Sequence, residues 1–250
     1  FLNLNVYDIL IITKPNDLDN YKKLLGNGSK FGIKISYKTQ KKPNGIPQAL
    51  VIGKEFIGKD KVYINLGDHI LFGKKLNNIF DKINQDFTNN FIFSKKTKNP
   101  KDYGIIKYLN NKPKKIFEKP KKYISNRAVC GLYFYNNNIF KYLKFLKKSN
   151  RNEYEITELN NLLIQNNDIK IINLPNSISW YDAGTFERIA EISKLISYYA
   201  KNNLFYGYLE HIAYKKKLIN KNDYLRAIKN YSNTEYSHNL KKLLYINESY

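Results

Sequence analysis

The sequence is short of several things at once. It has no methionine, one cysteine (Cys130), one tryptophan (Trp180), and only 4 arginines against 39 lysines. A single cysteine excludes an internal disulfide, so a reducing cytosol is the default compartment. Apolar runs such as Ile9-Leu10-Ile11-Ile12 are far too short to cross a bilayer, and no membrane partner is expected. Residues 1–8 lack the basic start and small-residue cleavage pattern of a signal peptide. Without methionine there is no initiator, so the chain is expected to be a processed or N-terminally incomplete product. The scarcity of arginine also decides how to read the charge. A formal net charge of +22 would suit a nucleic-acid partner. Yet arginine is the preferred base-reading residue, and the lysines are scattered along the chain rather than gathered on one element. Lys, Asn, Ile and Tyr are enriched together, with 35 asparagines, which is what AT-rich codons produce. The expectation is therefore no nucleic-acid partner, with a positive field that suits phosphate-bearing small molecules.

What is present is enough for a sizeable core. A chain of 250 residues with 42% hydrophobic content fits one large α/β domain, with or without a small helical appendage. Residues 6–13 form a β-rich apolar run, and Pro15-Asn16-Asp17 supplies a turn and cap before a helical pattern over 18–25. A strand over 33–37 and a helix from Pro47 to about Gly53 follow, then a buried strand over 62–66 that ends at Gly67-Asp68. A helix over 76–83 and a strand over 91–94 continue the alternation. Strand and helix at this spacing predict a mostly parallel sheet covered on both faces. Beyond Pro100 the pattern shifts: 105–108, 115–117 and 129–135 come close together and read as β insertions that make the sheet mixed. Helices are predicted over 139–146, 156–164 and 186–199, with strands over 169–174 and 179–182. Residues 205–245 carry only helical spacing, so a C-terminal helical lobe is expected.

Four groups of residues bear chemistry. Asp68 follows a glycine at the end of a central strand, where open α/β sheets bind ligands, and a carboxylate there suits a hard cation carrying phosphates. A Gly-Asp pair is also an ordinary turn. Asp182, in Trp180-Tyr181-Asp182-Ala183-Gly184-Thr185, follows a strand and precedes a helix, so it reads as an N-cap or as a second metal ligand facing the same crevice. In residues 40–49 (QKKPNGIPQA), Gln40 and Gln48 flank a tight turn at Gly45, and a glutamine amide can pair with a nucleobase edge. The alternative is a plain surface loop. Tyr103-Gly104 and Phe117-Glu118-Lys119-Pro120 offer a carboxylate for sugar hydroxyls and a lysine for a phosphate, or an exposed hairpin ion pair worth little.

Together these stretches resemble the bacterial glucose-1-phosphate thymidylyltransferase family over most of the chain. The matching blocks are 8–12, 24–28, 40–58, 66–68, 102–104, 118–120, 128–135, 153–160 and 180–185, in the family's order and near its spacing, with 210–214 similar to its C-terminal segment. The resemblance implies a Rossmann-like nucleotidyltransferase domain with a mixed, mostly parallel central sheet over residues 1–203, and a C-terminal helical region over 204–250. It implies that Asp68 and Asp182 hold Mg2+ and that Gln40 and Gly45 recognise thymine. Tyr103, Gly104, Glu118, Lys119, Val129 and Trp180 would line the sugar-phosphate side, with Asp68, Lys119 and Asp182 the catalytic set. Gly73 and Glu210 match a second, regulatory nucleotide site. The implied partners are dTTP and glucose 1-phosphate, in a cytoplasmic homotetramer serving dTDP-rhamnose and polysaccharide synthesis.

The sequence departs from the family in places. The family opens with a strand and an arginine-bearing glycine-rich loop, and Phe1 aligns inside the helix that follows. Residues 1–250 alone are therefore expected to be unstable or inactive. His69 stands where the family has Asn, and a neutral imidazole is expected to replace an amide donor. Two rival readings are an enzyme that uses UTP and a non-catalytic nucleotide-binding remnant. Uracil differs from thymine by one methyl group, a small basis for discrimination.

Overall fold

The computed structural model describes residues 1–73, 76–86, 88–202 and 206–248, without the side chains of 246–248. In chain order the elements are β1 (Asp8–Thr13), α1 (Leu18–Leu25), β2 (Lys34–Thr39), α2 (Ile46–Ile52), α3 (Lys54–Ile57), β3 (Val62–Asn65), β4 (His69–Phe72) and α4 (Leu76–Gln85). Then come β5 (Phe91–Lys96), β6 (Gly104–Leu109), β7 (Lys112–Glu118), β8 (Arg127–Tyr135), α5 (Ile139–Leu143), α6 (Ile156–Gln165), β9 (Lys170–Asn173) and β10 (Ser179–Asp182). Four helices close the chain: α7 (Phe186–Lys201), α8 (Leu209–Lys215), α9 (Lys221–Asn230) and α10 (Glu235–Glu248). The chain divides into two compact units, residues 40–184, and residues 1–39 with 185–250. The sequence-based boundary at 203/204 lies outside the described residues.

The unit over 40–184 is built on a six-stranded sheet in the order β7-β6-β8-β5-β9, with β3 also paired to β8. It is mixed, as the sequence implies, but the expected parallel majority is not there. β8 runs antiparallel to β3, β5 and β6, and β6 antiparallel to β7, while β5–β9 is parallel. Local chemistry forces part of this. Asn110 and Asn111 both take positive φ, 49° and 60°, in a two-residue turn between β6 and β7, and so short a loop can join only antiparallel strands. β5 and β8 are buried along most of their length, which explains their continuous apolar runs. Leu50, Ile92, Ile106, Ile116, Tyr135 and Leu159 form the centre of the core between sheet and helices. Asn161, also buried, closes the contact of α6 with β7: its side chain accepts from Ile116 N at 2.7 Å and donates to Ile116 O at 3.0 Å.

A second, two-stranded sheet in this unit was not expected from the sequence. β4 pairs antiparallel with β10, with Asp182 opposite His69 and Trp180 opposite Leu71. The chain leaves β3, turns at Gly67-Asp68 and re-enters extended structure at once, so the sequence shows a strand end where the structure has a corner.

In the other unit β1 and β2 pair in parallel over six residues each. The helical lobe expected over 205–245 is present as α8, α9 and α10. Phe31, Ala213, Ile219, Tyr224, Ile228, Leu240 and Leu244 form its core. Gly32 is required there: its φ is +66°, and a Cβ would lie 2.2 Å from Leu218 O. A capping box of Asn220 and Asp223 starts α9. No helix among the described residues is long and apolar enough to cross a membrane.

Candidate active site

Every residue expected to act in catalysis, nucleotide binding or sugar binding lies in the unit over 40–184. The two aspartates are brought together by the small sheet. Asp68 is in the β3–β4 corner and Asp182 ends β10, and Ala183 N donates to Asp68 O at 2.7 Å, locking the two segments. Asp68, His69 and Asp182 carry ligand-type atoms that all lie within 4.8 Å of one another. Gly184 leaves this corner open: its N–H donates to Asp182 Oδ1 at 2.9 Å, and a Cβ on it would approach that same oxygen to 2.8 Å. Two carboxylates so close, on a corner with backbone donors, form a donor set suited to a hard divalent cation.

His69 is a different matter. Its Nδ1 accepts from Gly131 N at 2.9 Å and from Trp180 Nε1 at 3.0 Å. That lone pair is therefore engaged, and the neutral ring carries its proton on Nε2. Nε2 lies 3.8 Å from Asp68 Oδ1, beyond hydrogen-bond reach. A protonated Nε2 is no metal ligand, so the carboxylates alone make up the oxygen-donor set. Nδ1 is thus an acceptor, and the proton on Nε2 leaves the ring the donor that is expected to stand in for an amide.

Trp180 leads from the aspartates to Tyr103, one of the residues expected on the sugar-phosphate side. Its ring centroid lies 4.8 Å from that of Tyr103, at 58° between planes. Tyr103 O accepts from Lys119 N at 3.0 Å. Lys119 has φ 42°, an uncommon conformation for a residue with a side chain and more so before Pro120. Sparsely populated backbone of this kind gathers at functional sites. Gly104 and Glu118 are paired across β6 and β7. A Cβ on Gly104 would come within 3.3 Å of Glu118 Oε2, so a larger residue would crowd the carboxylate. Thr157 Oγ1, buried at the start of α6, donates to that oxygen at 2.5 Å. Val129, half-buried on β8, packs against the edge of the main core. Beneath the site, burial first, then the charges of Glu118, Cys130 and Asp68, push the Tyr133 phenol well up. Glu118 and Lys119 also edge an open cleft of about 680 Å³ that includes Lys148, Arg151 and Glu155.

The loop over residues 40–48, expected to recognise the base, is held from inside. Gln40 Nε2 donates to Gly45 O at 3.1 Å and to Gln48 Oε1 at 2.8 Å. Gly45 has φ 95°, and a Cβ there would sit 1.9 Å from Tyr154 O. Tyr154 N donates to Asn44 O at 2.9 Å, so the loop is pressed against the chain entering α6. The two residues expected at a regulatory site belong to different units. Gly73 sits against Ser177 and Ile178, where a Cβ would come within 2.7 Å of Ser177 O. Glu210, on α8, is 2% exposed and accepts from Tyr236 Oη at 2.5 Å.

Sequence reasoning passed over Thr157, Gly131 and Gly184 as site residues. Each lies inside a block that matches the family, yet none has a side chain that signals chemistry alone. Thr157 needs Glu118 beside it, and the two glycines matter through the side chains they leave room for.

The model of the nucleotidyl transferase family matches residues 1–198. A glucose-1-phosphate thymidylyltransferase of Neisseria meningitidis is 34% identical over 241 residues, 96% of this chain and 84% of the relative. That of Mycolicibacterium smegmatis is 35% identical over 96% of this chain and 83% of its own length. Among solved structures, a Bacillus anthracis protein assigned as a glucose-1-phosphate thymidylyltransferase, in complex with sucrose, has TM-score 0.70 and 30% identity, covering 78% of this chain and 79% of that one. A UDP-glucose pyrophosphorylase at TM-score 0.65 and 23% identity, covering 80% and 83%, shares the fold. By these matches the chain belongs to the nucleotidyl transferase family and, within it, to the glucose-1-phosphate thymidylyltransferases.

Proposed function

We propose that the protein transfers a thymidylyl group from dTTP to glucose 1-phosphate, giving dTDP-glucose and pyrophosphate. A phosphate oxygen of glucose 1-phosphate forms a bond to the α-phosphorus of dTTP as the bond to the bridging β-phosphate oxygen breaks. The electron pair leaves with pyrophosphate, and no covalent intermediate is needed. The observation that carries this reading is the meeting of Asp68 and Asp182 at the β4–β10 corner. Mg2+ held by these two carboxylates would supply neutralisation of phosphate charge when bound.

The chain's own residues do the positioning. Lys119 is assigned to the attacking phosphate, and its φ of 42° turns the chain after β7. Glu118, held by Thr157, accepts from sugar hydroxyls. Tyr103, Gly104, Val129 and Trp180 line the sugar side. Gln40 and Gly45 take the thymine, with Gln40 oriented by its bonds to Gly45 and Gln48. Gly73 and Glu210 are assigned to a regulatory nucleotide site on family resemblance alone. The same resemblance supports a nucleotidyltransferase domain over 1–203 with a C-terminal region over 204–250. It also supports a cytoplasmic homotetramer, and dTDP-glucose destined for dTDP-rhamnose and polysaccharide.

The test is formation of dTDP-glucose from dTTP, glucose 1-phosphate and Mg2+, with UTP as competitor. Turnover that needs Mg2+ and favours dTTP is expected. Equal or better use of UTP would replace the thymidylyl reading with a uridylyl one, and nucleotide binding without product would sink the enzyme reading.

A further inference from the structure

We infer that His69 is a positioning residue: through Nδ1 it orients the indole of Trp180, and so sets the wall against which the sugar of the sugar 1-phosphate packs. The inference rests on the reaction proposed above for its catalytic meaning, and on geometry for the contact itself.

The ring sits in a seat that suits it closely. Its side chain is 10% exposed. On one side is Gly131, whose missing side chain makes the room: a Cβ there would lie 2.5 Å from Nδ1 and 2.7 Å from Cε1. The same residue donates its N–H to Nδ1 at 2.9 Å. On the other side the indole Nε1–H of Trp180 reaches the same nitrogen at 3.0 Å. A half-buried indole N–H needs an acceptor, and it finds one on a ring that β8 already anchors. β4 and β10 pair beside the contact, with Trp180 two residues along β10 from the Asp182↔His69 pair. Two strands and one hydrogen bond thus fix which way the indole faces. Tyr103 packs against it at a tilt, with ring centroids 4.8 Å apart, and Lys119 is tied to Tyr103 through the backbone. Turning the indole would therefore shift the sugar wall while leaving the thymine loop over 40–48 alone.

Two other roles for His69 fit worse. A metal ligand needs an unprotonated nitrogen facing the carboxylates, and the donors at Nδ1 put the proton on Nε2. A charged partner for Asp68 would approach closer than 3.8 Å. The acceptor role also makes a chemical prediction, because the side-chain oxygen of asparagine stands where Nδ1 does. An asparagine can then serve, whereas leucine, of similar bulk, cannot.

The experiment uses His69→Leu and His69→Asn. The indole 1H–15N resonance of Trp180 is read by NMR with its hydrogen-exchange rate, and KM is measured separately for glucose 1-phosphate and dTTP. His69→Leu is expected to move the indole proton upfield and speed its exchange. It should raise KM for glucose 1-phosphate about 10-fold, the scale of one hydrogen bond, with KM for dTTP little changed. His69→Asn should bring both readouts back toward wild type. In a Trp180→Phe background, His69→Leu should add little, because the donor is already gone. An unmoved indole signal in His69→Leu, failure of Asn to rescue, or equal loss toward both substrates would overturn the inference. Absence of turnover in wild type would defeat the proposed reaction and its sugar wall, while the indole signal would still decide the contact.

Discussion

Asp68 and Glu210 show two ways of treating a carboxylate in one chain. The Asp68 side chain is 50% exposed in the corner it shares with Asp182, and the bond from Ala183 N to Asp68 O helps tie that corner together. Glu210, in the other unit, is 2% exposed and lies among tyrosines. Tyr236 donates to it, Tyr231 packs edge-on against Tyr236 at 5.1 Å, and Tyr208 stacks on Tyr236 with centroids 4.7 Å apart. Burial first, then Glu210, pushes both the Tyr231 and Tyr236 phenols up. The difference teaches what each arrangement is suited to. Two carboxylates with accessible oxygens near each other, held so against mutual repulsion, are suited to a cation. A carboxylate enclosed by phenols has its charge answered already and contributes to holding helices together.

Breaking each side of this comparison should therefore give different losses. The largest is expected from Asp182→Asn. Removing one of two cation ligands forfeits several kcal/mol of charge stabilisation, so kcat should fall by about 10³-fold or more. Thermal unfolding should barely move, and a large drop in Tm would assign Asp182 a structural role instead. Glu210→Ala should do the reverse. It leaves the Tyr236 hydroxyl without its acceptor and opens a cavity, a loss of about 2–4 kcal/mol in unfolding free energy. Glu210→Gln should lose less, since one oxygen still accepts. Altered inhibition by dTDP-sugars in Glu210→Gln at unchanged stability would instead favour the regulatory role.

Gly45→Ala sharpens the comparison at a third place, where backbone rather than charge is under constraint. The positive φ and the clash with Tyr154 O should cost about 1–3 kcal/mol and raise KM for dTTP more than for glucose 1-phosphate. Equal effects on the two substrates would argue against the loop's assignment to the base. The smallest effect concerns His211, beside Glu210. Burial, aided by Lys215, lowers its pKa below the usual 6.5. The folded state then binds fewer protons than the unfolded one as pH falls through 6.5 and below, so stability should decline in that range. His211→Gln should flatten the decline, as followed by chemical denaturation between about pH 7 and pH 5.5.

Much of this was legible in the sequence. Periodicity located nearly all the strands and helices, because the 2.0 and 3.6 repeats are local. The motif blocks carried the family and its candidate residues. The direction in which strands run was less accessible. Two asparagines at 110–111 mark a tight turn, but β8 running against three neighbours depends on pairings between residues distant in sequence.

By itself, then, the sequence determined where apolar faces fall, where the chain turns, and which side chains are candidates for chemistry. Only the tertiary structure decided how those side chains face one another. β4 has no separate signature after the Gly67-Asp68 corner, yet its pairing with β10 brings Asp68 to Asp182. Nothing in the letters His69, Gly131 and Trp180 says that one nitrogen receives two donors. Hydrogen bonds between strands 62 and 111 residues apart exist only after long-range pairing has closed, and local propensity carries no record of them.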